Sequence, residues 1–254
     1  TLITAHSAKQ GAASTWKKGF GFHPLGAWCS NTSESLAMQL RQGSAGSNTV
    51  ADHIQVLGAA IAQIPARFRR KILIRIDGAG ATHELLEHLN GLNTTRRKVR
   101  FTVGWAITST DEDAIALLPE QAWSASLTPD GQIDKEAQVA ELTGLDRRGD
   151  TWIPGLRLLV RRTRPSRRHA KKLTVLEKRT GWRYAIIATN ITRIHGGPGT
   201  GHPQWLDLAH RLPAGVEDRG RTNKSMGPRN LPSKPGGVSS RWLLGASSAP
   251  GPEA

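Results

Sequence analysis

Apolar residues recur along the chain at two spacings, and together these spacings predict a mixed α/β protein. Residues 72–76 form a short apolar run broken only by Arg75, which is typical of a strand buried on both faces. Residues 49–64 instead repeat apolar side chains at helical spacing, and Pro65 ends that predicted helix. We therefore expect both strands and helices, and 254 residues are enough for one large domain or two small ones.

The rest of the pattern predicts further elements in a definite order. Strands are expected at residues 1–6, 19–29, 35–40, 99–107, 156–160, 173–178 and 182–189, with a hairpin turn at 179–181. Helices are expected to begin near Thr82, Asp111 and Pro203. Three strands followed by helix, strand, helix and strand predict a meander joined to a β-α-β crossover in one mixed sheet. The stretch 123–150 is polar and turn-rich, and the Pro, Gly and Ser content after residue 227 predicts disorder.

Asp77 stands where the strand of residues 71–76 passes into a turn of small residues. In open α/β sheets, this end of a strand is where ligands usually bind. Three interpretations stay open: an aspartate that caps a turn, a phosphate-binding loop built on Gly78 and Gly80, and a metal-binding carboxylate. The phosphate loop lacks the third glycine of its fingerprint, and a metal ion would need further ligands from elsewhere in the chain.

Charge is distributed unevenly along the sequence. The net charge is +15, yet residues 157–183 hold eleven Lys or Arg and one acid, whereas residues 111–150 hold ten acids and three cations. Segregated positive charge favours a polyanionic partner over a uniformly solvated surface, which is the alternative interpretation. Cys29 is the only cysteine, so an intrachain disulfide is excluded and a reducing cytoplasm is expected. No membrane span or secretory signal is visible, so no membrane partner is expected.

Four segments carry a resemblance to a known family: "LRQGSAGSNTVADH", "ILIRIDGAGA", "GWRYAIIATNI" and "VEDRGRTNK". In this order they resemble the DDE-type transposases of bacterial insertion sequences, from Thr1 to about Ser233. The resemblance implies a ribonuclease-H-like fold, a mixed sheet flanked by helices, with Asp77 at the end of a central strand. It also implies DNA as the partner, namely the element's ends and target DNA, with a homodimer on DNA left open. The expected location is the bacterial cytoplasm at the nucleoid.

The catalytic residues of the family can be carried over to two positions. The second family aspartate falls on Asp77 and the glutamate on Glu217, and in the family such carboxylates hold two Mg²⁺ or Mn²⁺ ions. Lys224 stands at the lysine position of the glutamate motif, whereas His210 and Pro213 replace its tyrosine and arginine. The long interval between Asp77 and Glu217 resembles the subgroup with a β-rich insertion.

The resemblance divides the chain into four parts. Residues 1–122 would begin the catalytic core, 123–195 would be a basic β-rich insertion, 196–227 would carry the glutamate, and 228–254 would be a disordered tail. The expected DNA-binding residues are Arg161, Arg162, Arg164, Arg167, Arg168, Lys171, Lys172, Arg219, Arg221 and Lys224.

Departures from the family pattern predict a truncated and inactive copy. The first family aspartate would lie just before Thr1. Pro213, Gly215 and Gly220 weaken the helix that should carry Glu217, because an interior proline costs about 3 kcal/mol and each glycine about 1 kcal/mol relative to alanine. Two alternatives remain: a non-catalytic nucleic-acid-binding protein that uses residues 157–183, and a nucleotide-binding enzyme that uses Gly78 and Gly80.

Overall fold

The computed structural model describes residues 2–5, 8–46, 49–78, 81–145, 151–192, 201–212, 231 and 234–248. The chain divides into two compact units. The first unit comprises residues 1–69 together with 213–254, and the second comprises residues 70–212. No helix among the described residues combines the length and the apolar character that crossing a membrane requires.

In its described residues, the first unit contains short strands and two α-helices. Its strands are β1 (Ile3–Thr4), β2 (Ala13–Ser14), β3 (Phe20–Phe22), β4 (Leu25–Trp28) and β5 (Ser35–Gln39). The first three form a sheet in the order β1-β3-β2, and β4 pairs with β5 in a separate hairpin. A short 3₁₀ turn at Ala66–Phe68 follows α1 (Val50–Gln63), which lies where the helical spacing predicted it.

Two small apolar clusters hold this unit together. Phe22 packs with Ile3, Leu231 and Leu243, and the last of these lies on a helix that we call α6 (Gly236–Ser248). Helix α1 buries Val56 and Ala60 against Ala37 of β5 in the second cluster. The prediction of disorder after residue 227 is therefore wrong for residues 236–248, because the apolar side chain of Leu243 finds a buried site that composition alone could not reveal.

The second unit is built on one six-stranded mixed sheet. Its strands are β6 (Lys71–Ile76), β7 (Lys98–Trp105), β8 (Ser124–Leu127), β9 (Ile133–Glu141), β10 (Arg157–Thr163) and β11 (Arg183–Thr189). They lie in the order β6-β7-β11-β10-β9-β8, with β6 and β7 parallel and all other pairs antiparallel. Among the residues that the structure describes, the helices are α2 (His83–Gly91), α3 (Ser109–Ala116), α4 (Val175–Thr180) and α5 (Pro203–Arg211), with 3₁₀ turns at Glu120–Ala122 and Ala170–Lys172.

Helix α2 forms where its capping residue and apolar stripe predicted it. The Thr82 side chain accepts a hydrogen bond from the Leu85 backbone N–H at 3.3 Å, which satisfies one of the unpaired donors of the first turn. Leu85, Leu86 and Leu89 are fully buried, and the helix packs against β7. The predicted strand, helix and parallel strand of residues 71–107 are confirmed.

Two predictions about the sheet are wrong. The meander of residues 1–42 does not join the sheet of β6, since its described strands form the two small sheets of the first unit. As the described residues form it, the sheet has β6 at its edge, so Asp77 does not follow a central strand. Residues 123–150 contain β8 and β9, in a segment for which the family resemblance implied strands. The apolar pattern alone did not reveal these two strands, because an antiparallel strand needs apolar side chains on only one face.

The predicted strand at residues 173–178 is wrong, because that segment is helix α4. Thr174 and Glu177 form a capping box in which each side chain accepts a hydrogen bond from the other residue's backbone N–H. Gly181, at φ 71°, ends the helix in the left-handed conformation, so residues 179–181 are a helix terminus and not a hairpin turn.

Strands from the predicted insertion 123–195 belong to the same sheet as β6 and β7. The boundaries between the two compact units fall at residues 69/70 and 212/213. That this segment is an insertion within the family's catalytic core stays a prediction.

Candidate functional site

Asp77 is an exposed residue that directly follows β6. Because β6 and β7 are parallel, it lies at the carboxyl end of a parallel strand pair. The next residue, Gly78, lies close to Gly104 of β7: a Cβ on Gly104 would come within 2.6 Å of both N and Cα of Gly78. The close approach of the strand-end loop to β7 therefore requires a glycine at position 104.

A cavity of about 240 Å³ lies beside this loop. Its wall includes Gly78 and Gly104, and its ionisable side chains come from β10 and α5: Arg161, Asp207, His210 and Arg211. The structure thus brings the strand-end loop next to a group of ionisable side chains, most of which were not predicted as site residues from the sequence.

Asp207 is the centre of this charged group. Its side chain is almost fully buried, and Oδ2 accepts hydrogen bonds from Ser126 Oγ and Arg211 Nε, both at 2.9 Å. Arg161 Nε lies 3.6 Å from the same oxygen, and Arg161 Nη2 reaches Asp134 at 3.2 Å. Burial lowers the pKa of Arg161, whereas the two nearby carboxylates act to raise it. The two guanidinium groups thus compensate the cost of burying the Asp207 carboxylate.

His210 links α5 to the centre of β7. Its Nδ1 lies 2.8 Å from Thr102 Oγ1, within hydrogen-bond distance. Burial lowers the pKa of His210, and the carboxylates of Asp207 and Asp77 oppose that effect. The neutral imidazole is therefore favoured near the strand-end loop.

Arg75 connects the strand that precedes Asp77 with the same helix. Its Nη1 donates a hydrogen bond to the Ala209 carbonyl at 2.8 Å, close to the end of α5 where helix carbonyls lack intrahelical partners. Burial lowers the pKa of Arg75. Asp77 therefore extends from a strand that is anchored to the helix carrying Asp207 and His210.

The described residues do not form a complete metal site. They contain no group of three His, Cys, Asp or Glu side chains that could hold a metal ion. Glu217, Arg219, Arg221 and Lys224 lie outside the described residues, so their predicted roles stay predictions. Within the described part, Asp77 alone represents the predicted ligands, which is fewer carboxylates than two divalent ions would require.

The arginines of β10 contact partners inside the second unit. Arg157 forms a bidentate pair with Glu141, with both N–O distances at 2.8 Å. Its Nη1 also donates to the Ile191 carbonyl at 2.8 Å. Together with the bonds of Arg161 to Asp134 and Asp207, these interactions occupy guanidinium groups that in the sequence look like part of a continuous positive segment.

Arg162 is the most buried of these arginines, at 6% exposure. Its guanidinium carbon lies 4.2 Å from the ring centre of Trp123 and 4.7 Å from that of Trp182. Its Nε donates to Gln138 at 2.6 Å, and its Nη2 pairs with Glu120. The hydrogen bond from Arg162 lowers the pKa of Glu120. This arginine is therefore buried among its partners instead of facing a ligand.

The segment after β10 has a different character. We call residues 164–172 the basic loop, and its cations are all exposed: Arg164, Arg167, Arg168, Lys171 and Lys172. Arg164 stacks on Trp182, with its guanidinium carbon 3.7 Å from the ring centre. The loop thus presents five positive charges to solvent next to a half-buried tryptophan.

Asp207, Ser126 and Trp123 were not predicted from the sequence as members of these clusters. The available signal was weak: Asp207 and Arg211 are four residues apart on α5, a spacing that places them on one helix face. Nothing local in the sequence links them to Ser126, which is 81 residues away.

The second unit thus combines a carboxylate at the carboxyl end of a parallel strand with a loop of exposed cations. Residues 1–199 match the family described as transposase DDE domain group 1. The match covers most of the chain, so the chain belongs to this family. Among curated proteins, none matches it.

Proposed function

We propose that this chain is a DNA-binding part of an insertion-sequence transposase with a ribonuclease-H-like catalytic core. The family membership of residues 1–199 carries the proposal, and the position of Asp77 at the carboxyl end of β6 supports it. The family's general reaction is the cleavage and transfer of DNA strands. The partner is DNA at the element's ends and at the target, the proposed location is the bacterial nucleoid, and a homodimer on DNA stays a prediction.

The exposed cations of the basic loop are the proposed contacts to the DNA backbone. Five charges on one short loop can neutralise phosphates without reading the base sequence. Arg161 and Arg162 leave the proposed interface, because their guanidinium groups are occupied by Asp134, Asp207, Glu120 and Gln138. Arg219, Arg221 and Lys224 remain in the proposal on the sequence alone.

The proposed metal ligands are Asp77 and Glu217. Two Mg²⁺ or Mn²⁺ ions held by a complete set of carboxylates would activate an attacking oxygen and stabilise a leaving 3′ oxygen. The described residues provide only Asp77, and the sequence around Glu217 contains Pro213, Gly215 and Gly220, which disfavour a helix. A misplacement of about 1 Å can cost roughly a hundredfold in rate. We therefore propose that this chain binds DNA without completing cleavage or strand transfer.

A nicking assay with Mn²⁺ tests the proposal on DNA that carries the ends of the element. We expect salt-sensitive binding and no cleavage by the purified chain. Cleavage that disappears in Glu217→Gln would contradict the proposed inactivity while supporting the catalytic residue. Failure of the chain to bind DNA at any salt concentration would contradict the proposed function itself.

A non-catalytic nucleic-acid-binding protein is the second candidate, and the five exposed cations of the basic loop are compatible with it. Mn²⁺ titration separates the two candidates. Only the transposase proposal expects Asp77→Ala to weaken Mn²⁺ binding, while Asp113→Ala, at an exposed position of α3, serves as the matched control.

A further inference from the structure

The hairpin formed by β2 and β3 ends in an unusually exposed tryptophan. Trp16 is 75% exposed at the tip, which comprises residues 15–19. The Lys17 ammonium lies 5.0 Å from the centre of its ring, and Lys18 follows directly. An indole this exposed buries little apolar surface in its own unit, so packing within the unit gives no reason for a tryptophan at this position.

The tip is held in one conformation by its own hydrogen bonds. The Thr15 N–H donates to the Gly19 carbonyl at 2.7 Å, and the Lys18 N–H donates to the Thr15 carbonyl at 3.0 Å. Lys18 adopts a left-handed conformation, with φ 60°, which places the two lysines on a tight turn. Below the tip, Phe22 is buried in the apolar cluster of the unit. A contact made by Trp16 would therefore cost little ordering of the backbone.

The charge of this region is of one sign. Residues 1–33 contain no Asp or Glu, and their cations are Lys9, Lys17 and Lys18. The Lys9 ammonium donates a hydrogen bond to the Leu231 carbonyl, so it already has a partner within the unit. At the tip, the Lys17 ammonium lies beside the exposed indole and Lys18 follows Lys17 in the chain. A cation beside an aromatic ring suits a ligand that has both phosphates and flat bases.

We propose that the hairpin tip binds DNA at an unpaired base, with Trp16 stacked on the base and Lys17 and Lys18 on the adjacent phosphates. The partner class rests on the proposed function, but the contact belongs to the first unit and does not involve the basic loop. Unpaired bases are the favoured ligand because a single projecting indole can stack on a base only when the base leaves its duplex neighbours.

Phe68 provides a matched comparison within the same unit. It is 60% exposed, and the Arg67 guanidinium carbon lies 4.8 Å from its ring centre. It lies on a short 3₁₀ turn that is followed by Arg69, whose guanidinium donates to the Ala62 carbonyl of α1 at 2.7 Å. This segment therefore satisfies a carbonyl in the last turn of α1. We therefore expect no base stacking there, and Phe68→Ala controls for the loss of an exposed aromatic ring.

The test compares a blunt duplex with the same duplex carrying a short 3′ thymidine overhang, using fluorescence anisotropy and the full chain. Trp16→Ala should lower the preference for the overhang by about tenfold, because base–aromatic stacking contributes to each bound base. Binding to the blunt duplex should stay within about twofold. Trp16→Phe should keep most of the preference. Lys17→Ala combined with Lys18→Gly, which suits the left-handed position, should weaken both complexes and flatten the salt dependence.

A spectroscopic readout checks stacking directly: 2-aminopurine in the overhang should be quenched by the wild-type chain and not by Trp16→Ala. If the wild-type chain binds both DNA forms equally, or if Trp16→Ala keeps the preference, the inference is overturned while the proposed function stands. An equal loss in Phe68→Ala also overturns it. If the wild-type chain binds neither DNA, the proposed function fails as well.

Discussion

The arginines of β10 and the cations of the basic loop are neighbours in sequence, yet their surroundings differ. Arg161 and Arg162 on β10 are stabilised by buried or half-buried partners, which include Asp207 and two tryptophans. Arg167 and Lys171 on the loop are exposed to solvent. One cluster of positive charge in the sequence therefore becomes two groups in the structure, one that supports the sheet and one that can face a polyanion.

A run of like charges in a sequence is therefore not one surface of the folded protein. Side chains on a strand alternate between two faces, so Arg161 and Arg162 meet different partners on opposite sides of the sheet. Exposed cations keep their hydration and can still bind phosphates. Buried cations instead interact with the carboxylates and aromatic rings around them. The following predictions test this division, beginning with the largest expected effect.

Asp207→Asn should destabilise the second unit most. The substitution leaves the guanidinium groups of Arg161 and Arg211 facing a neutral amide in a largely buried site, so we expect a loss of about 2–4 kcal/mol in the free energy of unfolding. Urea denaturation followed by circular dichroism measures it. Asp113→Asn, at an exposed position, is the control and should change stability by less than about 0.5 kcal/mol. Equal effects of the two substitutions would contradict the role of Asp207.

Arg162→Ala should have the next largest effect on stability, a loss of about 2–3 kcal/mol. It removes stacking on Trp123 and Trp182 and leaves the Gln138 side chain without its donor. Arg162→Lys should recover only part of the loss, because an ammonium cannot stack as a planar guanidinium does. Arg164→Ala removes an exposed stacking interaction on the same Trp182 and should cost less than about 1 kcal/mol. If Arg164→Ala costs as much as Arg162→Ala, the division between strand and loop is wrong.

Replacing the outer cations of the basic loop should affect DNA binding and leave stability nearly unchanged. In the quadruple substitution Arg167→Ala, Arg168→Ala, Lys171→Ala and Lys172→Ala, the salt dependence of binding should flatten by about 0.9 for each phosphate that the loop no longer neutralises. The free energy of unfolding should change by less than about 1 kcal/mol, since these side chains are exposed. Titration of non-specific duplex DNA at several salt concentrations measures the slope. An unchanged slope would remove the loop from the proposed interface.

The smallest expected effect concerns pH. Burial lowers the pKa of His210 in the folded chain, so the unfolded chain binds a proton more readily once the pH falls below about 6.5. His210 therefore contributes stability above that pH, and the contribution is lost as the pH falls from the unfolded pKa toward the folded one. His210→Gln should make the free energy of unfolding less dependent on pH in that window. His169→Gln, in the basic loop, is the comparison, and a flatter profile in that variant alone would contradict the assignment.

Several parts of the fold were predictable because their causes are local. Thr82 predicts the start of α2, Pro65 follows the end of α1, and the apolar run before Asp77 predicts β6. The capping box of Thr174 and Glu177 is equally local, yet the apolar residues around it favour a strand. The capping box decides for the helix, because it satisfies backbone N–H groups that the first turn of a helix leaves unpaired.

By itself the sequence determined the strand-end position of Asp77, the concentration of positive charge in residues 157–183 and the family resemblance, because each depends on neighbouring residues or on ordered motifs. Only the tertiary structure decided which cations are buried, since Arg161 meets Asp207 46 positions away through the packing of α5 on the sheet. It also decided that β6 lies at the edge of its sheet as described and that Leu243 is buried in an apolar cluster of the first unit. The order of strands in a sheet and the burial of side chains arise from interactions between distant segments. The free energy of those interactions cannot be predicted from any local sequence pattern.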